Sequence, residues 1–151
     1  MTTQVVGLCG FSAGPVTDET IRTMTAEEPV FGFPDVDWSW RTIGGYLEAV
    51  NRLGVATNTV TLVGHSTLRR SVMGSAQRGP TPAELDTMKA KLRDGIREGA
   101  RGFSTGLSYA PGTFATIEEL TELTRVAAEE GRPYHTHMRY GESTVAESLD
   151  E

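Results

Sequence analysis

The sequence predicts an α/β fold of parallel strands joined by helices, and three observations support this class. Short apolar runs alternate with amphipathic helical patterns, glycines follow the helical patterns, and capping boxes begin two of them. Strands separated by helices pair in parallel through right-handed crossovers, and such sheets bind ligands at the carboxyl ends of their strands. We therefore expect functional side chains just after the strands.

The first half of the chain contains two predicted strands and one predicted helix. Residues 4–8 read as a strand that ends in a glycine-rich turn around Cys9. A polar and aromatic loop follows through residues 31–40, and loops of this length are uncommon unless they bind or cover something. Apolar residues then recur with helical spacing over residues 40–53, and residues 55–63 read as the next strand.

Capping boxes organise the second half. Residues 81–84, Thr-Pro-Ala-Glu, predict a helix that begins at the proline, and residues 116–119, Thr-Ile-Glu-Glu, repeat the pattern. Short strands are predicted over residues 102–105 and 132–138, and a further helix should begin within residues 143–151. The helix that begins at Pro82 should present one apolar face, made of Leu85, Met88, Leu92 and Ile96.

Composition excludes several classes of partner. The 14 basic and 20 acidic residues give a net charge of −6 without a dense basic run, which argues against nucleic acid or an anionic membrane as partner. No run approaches the ~18 apolar residues of a membrane span, and the single cysteine cannot form an internal disulfide. The first residues, Met-Thr-Thr-Gln, lack the features of a signal peptide, so a cytoplasmic location is expected.

Three residues on or directly after predicted strands could bind a metal. Cys9 follows the first strand, and His135 and His137 alternate on the last one, so the two imidazoles should face the same side. Thiolate and imidazole are ligands that zinc prefers, and a catalytic zinc keeps one position open. The alternative for Cys9 is a small buried strand residue, because free cysteines are usually buried.

Four motifs occur in an order that resembles a known family. They are the cysteine with its flanks over residues 5–15, Val-Gly-His-Ser-Thr-Leu-Arg over 63–69, the glycine-rich run over 102–112, and Thr-His-Met-Arg over 136–139. This order is similar to that of D-aminoacylases, the N-acyl-D-amino-acid deacylases of the amidohydrolase superfamily. The resemblance runs from about Val5 to the last residues.

The resemblance implies a partial (β/α)₈ TIM barrel, with about four parallel strands and intervening helices. A complete barrel typically needs ~250 residues, so residues 1–151 are interpreted as one segment of an incomplete domain. Four strands would leave open sheet edges and uncovered apolar surface. We therefore expect self-association or dependence on a complementary fragment.

The resemblance also implies the chemistry and the roles of three residues. The activity is zinc-dependent hydrolysis of the amide bond of a small-molecule N-acyl-D-amino acid, giving a D-amino acid and a carboxylate. Cys9 matches the cysteine that bridges the metal site, and His137 matches the histidine ligand of Thr-His-Met-Arg. Tyr109 matches a residue that contacts substrate near the scissile carbonyl, where a phenol could donate to the developing oxyanion.

Other residues receive no catalytic role. The resemblance places His135 at a non-ligand position, and His65 is expected to order its loop through hydrogen bonds rather than to bind metal. The general base of the family lies outside this chain, so no catalytic residue is assigned. Two alternatives stay open: a truncated or split product that is inactive alone, and a non-catalytic α/β module that kept the scaffold.

Overall fold

A computed structural model describes residues 2–27, 36–139 and 145–150. The strands in these ranges are Thr3–Val6 (β1), Asn58–Thr61 (β2), Val63–Gly64 (β3), Phe103–Gly106 (β4) and Tyr134–His137 (β5). The α-helices are Asp18–Glu27 (α1), Ile43–Leu53 (α2), His65–Met73 (α3), Pro82–Arg97 (α4), Ile117–Glu129 (α5) and Val145–Asp150 (α6). A 3₁₀ turn covers Gly112–Phe114.

All the strand pairs are parallel, as the alternation of strands and helices predicted. β1 pairs with β2, and β3, β4 and β5 form a second sheet in that order. The predicted strand over residues 55–63 is shorter than expected and is divided at Leu62 into β2 and β3. Within the described residues the strands form two separate parallel sheets and no closed barrel, which confirms the α/β class and agrees with a partial barrel.

The core lies between the β3–β4–β5 sheet and the helices that cover it. Phe103 of β4 and Val63 of β3 are fully buried against Met88 and Leu92 of α4 and Leu123 of α5. The predicted apolar face of α4 is confirmed, with Leu85 at its half-buried margin. This packing fixes the direction of the strands and therefore the positions of the loops at their carboxyl ends.

Two of the predicted helix starts have different capping geometry. At the start of α4, Thr81 accepts from the backbone N–H of Glu84, and the Glu84 carboxylate accepts from the backbone N–H of Thr81. At the start of α5, Thr116 accepts from the N–H of Glu119, but the Glu119 carboxylate does not complete the box. It is buried instead, where it binds other partners.

The N-terminal box of α4 predicts a specific acid sensitivity. The hydrogen bond from Arg78 and those from Thr81 lower the pKa of Glu84 from 4.5 to about 2. A lowered folded-state pKa means that this stabilisation is complete above pH 4.5 and is lost as the pH falls toward 2. Glu84→Gln should therefore lose less stability than the unchanged chain between pH 5 and pH 3, measured as urea midpoints. Asp86→Asn, on the exposed side of the same helix, is the control, and equal acid losses in the Glu84→Gln and unchanged chains would contradict the prediction.

Two helices were not predicted from the sequence. α1 contains only two large apolar residues, Ile21 and Met24, and α3 buries mainly polar side chains such as His65 and Arg69. Both helices therefore lack the apolar periodicity that identifies a helix in sequence. The aromatic loop over residues 31–40 and the final helix over 143–151 are described only over residues 36–40 and 145–150, and their other residues lie outside the described part.

The two outermost strands are poorly covered. Three of the four residues of β1 and three of the four residues of β5 are exposed, and Val5 is 50% exposed. Strand edges with exposed apolar side chains are sites where further strands pair. Among the described helices, none is long and apolar enough to cross a membrane.

Candidate metal centre

Cys9 lies in a tight turn directly after β1. It has φ of 55°, in the left-handed region, and the neighbouring Gly7 and Gly10 also have positive φ. A left-handed residue reverses the chain locally, and the side chain of Cys9 is exposed at the carboxyl end of β1. The alternative of a small buried strand residue is therefore wrong, because the strand ends at Val6 and Cys9 belongs to the turn.

Ser104 of β4 ties the Cys9 turn to the centre of the sheet. Its hydroxyl donates to the carbonyl of Gly7 at 2.5 Å and accepts from the backbone N–H of Gly10 at 3.2 Å. On the other side the turn lies against β3, since a Cβ built at Gly64 would meet the carbonyl oxygen of Gly10 at 2.5 Å. The turn therefore crosses the ends of strands that do not pair with β1.

Tyr109 connects the Cys9 turn with His137. Its hydroxyl donates to the backbone carbonyl of Cys9 at 2.5 Å. Its ring stacks on Phe11, with centroids 5.6 Å apart, and meets the ring of His137 edge-on at 5.6 Å. The three residues predicted for the site thus lie together at the carboxyl ends of β1, β4 and β5.

Gly106 provides the space in which these residues meet. It ends β4 opposite His137 in the parallel ladder. A Cβ at this position would lie 2.0 Å from the hydroxyl oxygen of Tyr109 and 2.3 Å from the carbonyl oxygen of Cys9. Only glycine allows the close approach.

His137 is the last residue of β5, and its side chain is exposed. Its carbonyl accepts from the N–H of Leu107 at 3.0 Å. Beyond the strand, the Arg139 guanidinium donates to the carbonyls of Thr113 and Ala115 at 2.8 and 3.0 Å. These bonds hold the end of β5 against the loop that carries Tyr109.

The donor set suits zinc but is incomplete within the described residues. A thiol and an imidazole are both exposed at the same end of the sheet, and zinc binds both groups. No group of three or more His, Cys, Asp or Glu side chains with metal-binding geometry occurs within residues 2–27, 36–139 and 145–150. His135 is exposed on β5 two residues before His137, and no described contact joins it to Cys9 or Tyr109.

His65 lies away from this centre, in the interior. It is the first residue of α3, not part of a loop, because the helix starts directly after β3. Its Nε2 lies 2.8 Å from a carboxylate oxygen of Glu119, and both side chains are fully buried. This arrangement agrees with the hydrogen-bonding role expected for His65.

Arg69 and Glu119 form a buried ion pair that the sequence patterns do not predict. One guanidinium nitrogen of Arg69 donates to both Glu119 oxygens, at 2.8 and 2.7 Å. Burial on its own would raise the pKa of Glu119, but the hydrogen bond and charge of His65 and the charge of Arg69 outweigh it, so the pKa lies below 4.5. The only signal in the sequence was a capping-box glutamate, which gives no indication of burial.

Comparison with known proteins supports a relationship over the whole chain. The chain is 35% identical over 154 aligned residues to a D-aminoacylase of Alcaligenes xylosoxydans xylosoxydans. It is 32% identical to an N-acyl-D-glutamate deacylase of the same organism. All of the chain and 30% of each relative are aligned, so the chain spans about a third of their length. No family model matches the chain.

Solved structures extend the similarity to the fold. An N-acyl-D-glutamate deacylase from Bordetella bronchiseptica, complexed with zinc and a phosphonate mimic of the tetrahedral intermediate, is 34% identical with a TM-score of 0.85. A D-aminoacylase crystal structure that defines a subset of amidohydrolases is 32% identical with a TM-score of 0.81. Each superposition covers 99% of this chain and 31% of the other chain.

The parallel strands bring a cysteine, a tyrosine and a histidine together at their carboxyl ends. Together with the similarity of the backbone to a solved D-aminoacylase, this arrangement defines a segment of an amidohydrolase barrel. The resemblance expected from the four motifs is confirmed. Over its whole length the chain is homologous to an internal segment, about 30%, of D-aminoacylases and N-acyl-D-amino-acid deacylases.

Proposed function

We propose that this chain supplies part of the zinc-binding and substrate-binding site of an N-acyl-D-amino-acid deacylase. The observation that carries the proposal is the convergence of Cys9, Tyr109 and His137 through a hydrogen bond and an edge-on ring contact. Relatives with this fold are deacylases, and one binds zinc. Cys9 and His137 are the residues that would hold the metal.

Bound zinc would supply Lewis acidity toward the amide carbonyl and a water acidified to a pKa near ~7. Cys9 would coordinate as thiolate and His137 through a neutral imidazole nitrogen. The stacked contact with Phe11 and the edge-on contact with His137 fix the ring plane of Tyr109. In this structure the phenol O–H of Tyr109 donates to the Cys9 carbonyl. With substrate bound, the same O–H would rotate about its C–O bond and donate to a substrate oxygen.

Zinc binding is the direct test of this proposal. Cys9→Ala and His137→Ala should each weaken zinc affinity by more than about tenfold, because each removes one donor from an already small set. The measurement is competition against a zinc indicator, together with the thiolate charge-transfer absorption of bound Co²⁺, which only Cys9 can produce in a chain with one cysteine.

The matched control is His135→Ala, which removes an exposed imidazole from the same strand. We expect this variant to keep the zinc affinity of the unchanged chain. Loss of binding in His135→Ala but not in His137→Ala would exchange the roles of the two histidines. Unchanged affinity in both the Cys9 and His137 variants would overturn the proposed function.

The isolated chain is expected to show no turnover of N-acetyl-D-amino acids, even when loaded with zinc. A catalytic zinc usually has three protein ligands, and the described residues contain no group of three or more side chains that could bind a metal. The measurement is release of free amino acid by purified protein. The positive control is the same assay after addition of complementary chain segments. Turnover by the chain alone that is abolished by Cys9→Ala would show that the site is complete.

The exposed outer strands support a proposal about association. Covering β1 and β5 would bury apolar side chains such as Val5, at about 25 cal/mol per Å². We propose that a further segment or a second copy of the chain covers these edges.

A further inference from the structure

A cavity of about 420 Å³ lies beside the Cys9 turn, outside the contacts that join Cys9, Tyr109 and His137. It begins at Val6 and Gly7 and is bounded by Phe11, Met24, Trp38, Trp40 and Tyr46. We propose that this cavity is an acyl subsite, which binds the hydrocarbon part of an N-acyl-D-amino acid whose acyl group is longer than acetyl. This inference rests on the proposed function, because it specifies the substrate of that site.

The chemistry of the lining selects an apolar ligand. Among the described residues that line the cavity, none carries a charge. The indole N–H of Trp40 already donates to the Ala13 carbonyl at 2.8 Å, and the Ser12 hydroxyl both donates to Gly14 and accepts from the N–H of Gly64. Burial raises the pKa of Tyr46, which agrees with apolar surroundings. A carboxylate placed here would lose hydration without gaining a partner.

Phe11 connects this cavity with the proposed reaction site. It lines the cavity and also stacks on Tyr109, whose hydroxyl binds the Cys9 carbonyl. A ligand with its amide beside Tyr109 could therefore extend its hydrocarbon group past the edge of Phe11. A volume of about 420 Å³ falls within the ~300 to 1,000 Å³ of typical ligand pockets.

The cavity wall is built as a fixed aromatic surface. Trp40 is in ring contact with both Trp38 and Tyr46, at 5.4 and 5.5 Å between centroids. Together with the indole bond to Ala13, these contacts restrain Trp40 before any ligand arrives. Preformed apolar surface lowers the ordering cost of binding.

The tryptophans make the test direct, because the chain has two and both line this cavity. Tryptophan emission is followed during titration with N-octanoyl-D-leucine and with N-acetyl-D-leucine, in buffer containing EDTA. We expect a saturable shift to shorter wavelength with the octanoyl compound and an affinity at least about tenfold weaker for the acetyl compound, because the longer chain buries more apolar area.

Two variants locate the binding. Ala13→Phe fills the cavity, and Val36→Asp places a charge at its exposed rim, where a folding defect is not expected. Each should weaken octanoyl binding at least about tenfold, whereas Leu53→Asp, an exposed apolar position outside this cavity, should not. Circular dichroism checks that each variant is folded. If Ala13→Phe does not fold, the octanoyl affinity of Val36→Asp alone tests the location of the binding site.

Three results would overturn the proposal. They are equal affinities for the octanoyl and acetyl compounds, octanoyl affinity unchanged in Val36→Asp, and octanoyl affinity that falls as the protein concentration rises, which would mean that a second copy fills the cavity. Because the titration contains no free zinc, its failure leaves the zinc-binding test untouched. Failure of zinc binding would likewise leave the octanoyl titration interpretable.

Discussion

Glu119→Ala is expected to lower the free energy of unfolding by about 3 to 5 kcal/mol, because it leaves the Arg69 guanidinium buried without its counter-charge. Arg69 is fully buried in α3, and both Glu119 oxygens accept from it. The loss would be a large part of the ~5 to 15 kcal/mol that stabilises a typical domain. Urea unfolding followed by circular dichroism measures it.

The matched control is Glu118→Ala, which removes the neighbouring exposed carboxylate from the same helical turn. We expect this variant to change stability by less than about 0.5 kcal/mol. Equal effects of the two substitutions would mean that the buried pair does not contribute. Since the pKa of Glu119 is lowered in the folded chain, its contribution is present above pH 4.5 and is lost as the pH falls below that value.

Gly106→Ala is expected to disrupt the proposed metal centre and to destabilise the chain by about 1 to 3 kcal/mol or more, as in other overpacked interiors. The added methyl group would lie 2.3 Å from the Cys9 carbonyl, which is backbone and cannot move without moving the turn. It would also displace the Tyr109 hydroxyl. Zinc affinity should therefore fall together with stability.

Gly44→Ala provides the matched control for that substitution. Gly44 is in α2, and a Cβ there would meet the Glu98 side chain at ordinary distances of 3.5 to 3.7 Å. Alanine favours a helix over glycine by about 0.5 to 1 kcal/mol, so this variant should be as stable as the unchanged chain or slightly more stable. A Gly106→Ala variant that kept full zinc affinity would show that the turn adapts.

The sequence predicted those parts of the fold that depend on local patterns. The capping box of Thr81 and Glu84, the apolar face with Met88 and Leu92, and the end of α2 at Gly54 can each be recognised within a few residues, and each is confirmed. α3 could not be predicted in this way. Its buried residues include His65 and Arg69, and their burial depends on a carboxylate some 50 residues away.

The candidate site shows the same division. Motifs predicted which end of the sheet would carry Cys9, Tyr109 and His137, because parallel strands align their carboxyl ends. They did not predict that the Tyr109 hydroxyl binds the Cys9 carbonyl, or that Gly106 makes room for it. Those contacts depend on the position along the sheet at which each strand ends and its loop begins. Local sequence does not encode that position relative to the other strands.

The left-handed backbone at Cys9 restricts which metal-binding chemistries this turn can carry. Side chains branched at Cβ are strongly disfavoured in that conformation, whereas aspartate and asparagine adopt it with comparative ease. The turn could therefore exchange its soft sulfur donor for a hard oxygen donor with little change in backbone. Because sulfur favours zinc, and oxygen favours magnesium, calcium or manganese, the choice of metal at this strand end would depend on a single side chain in an otherwise constant loop.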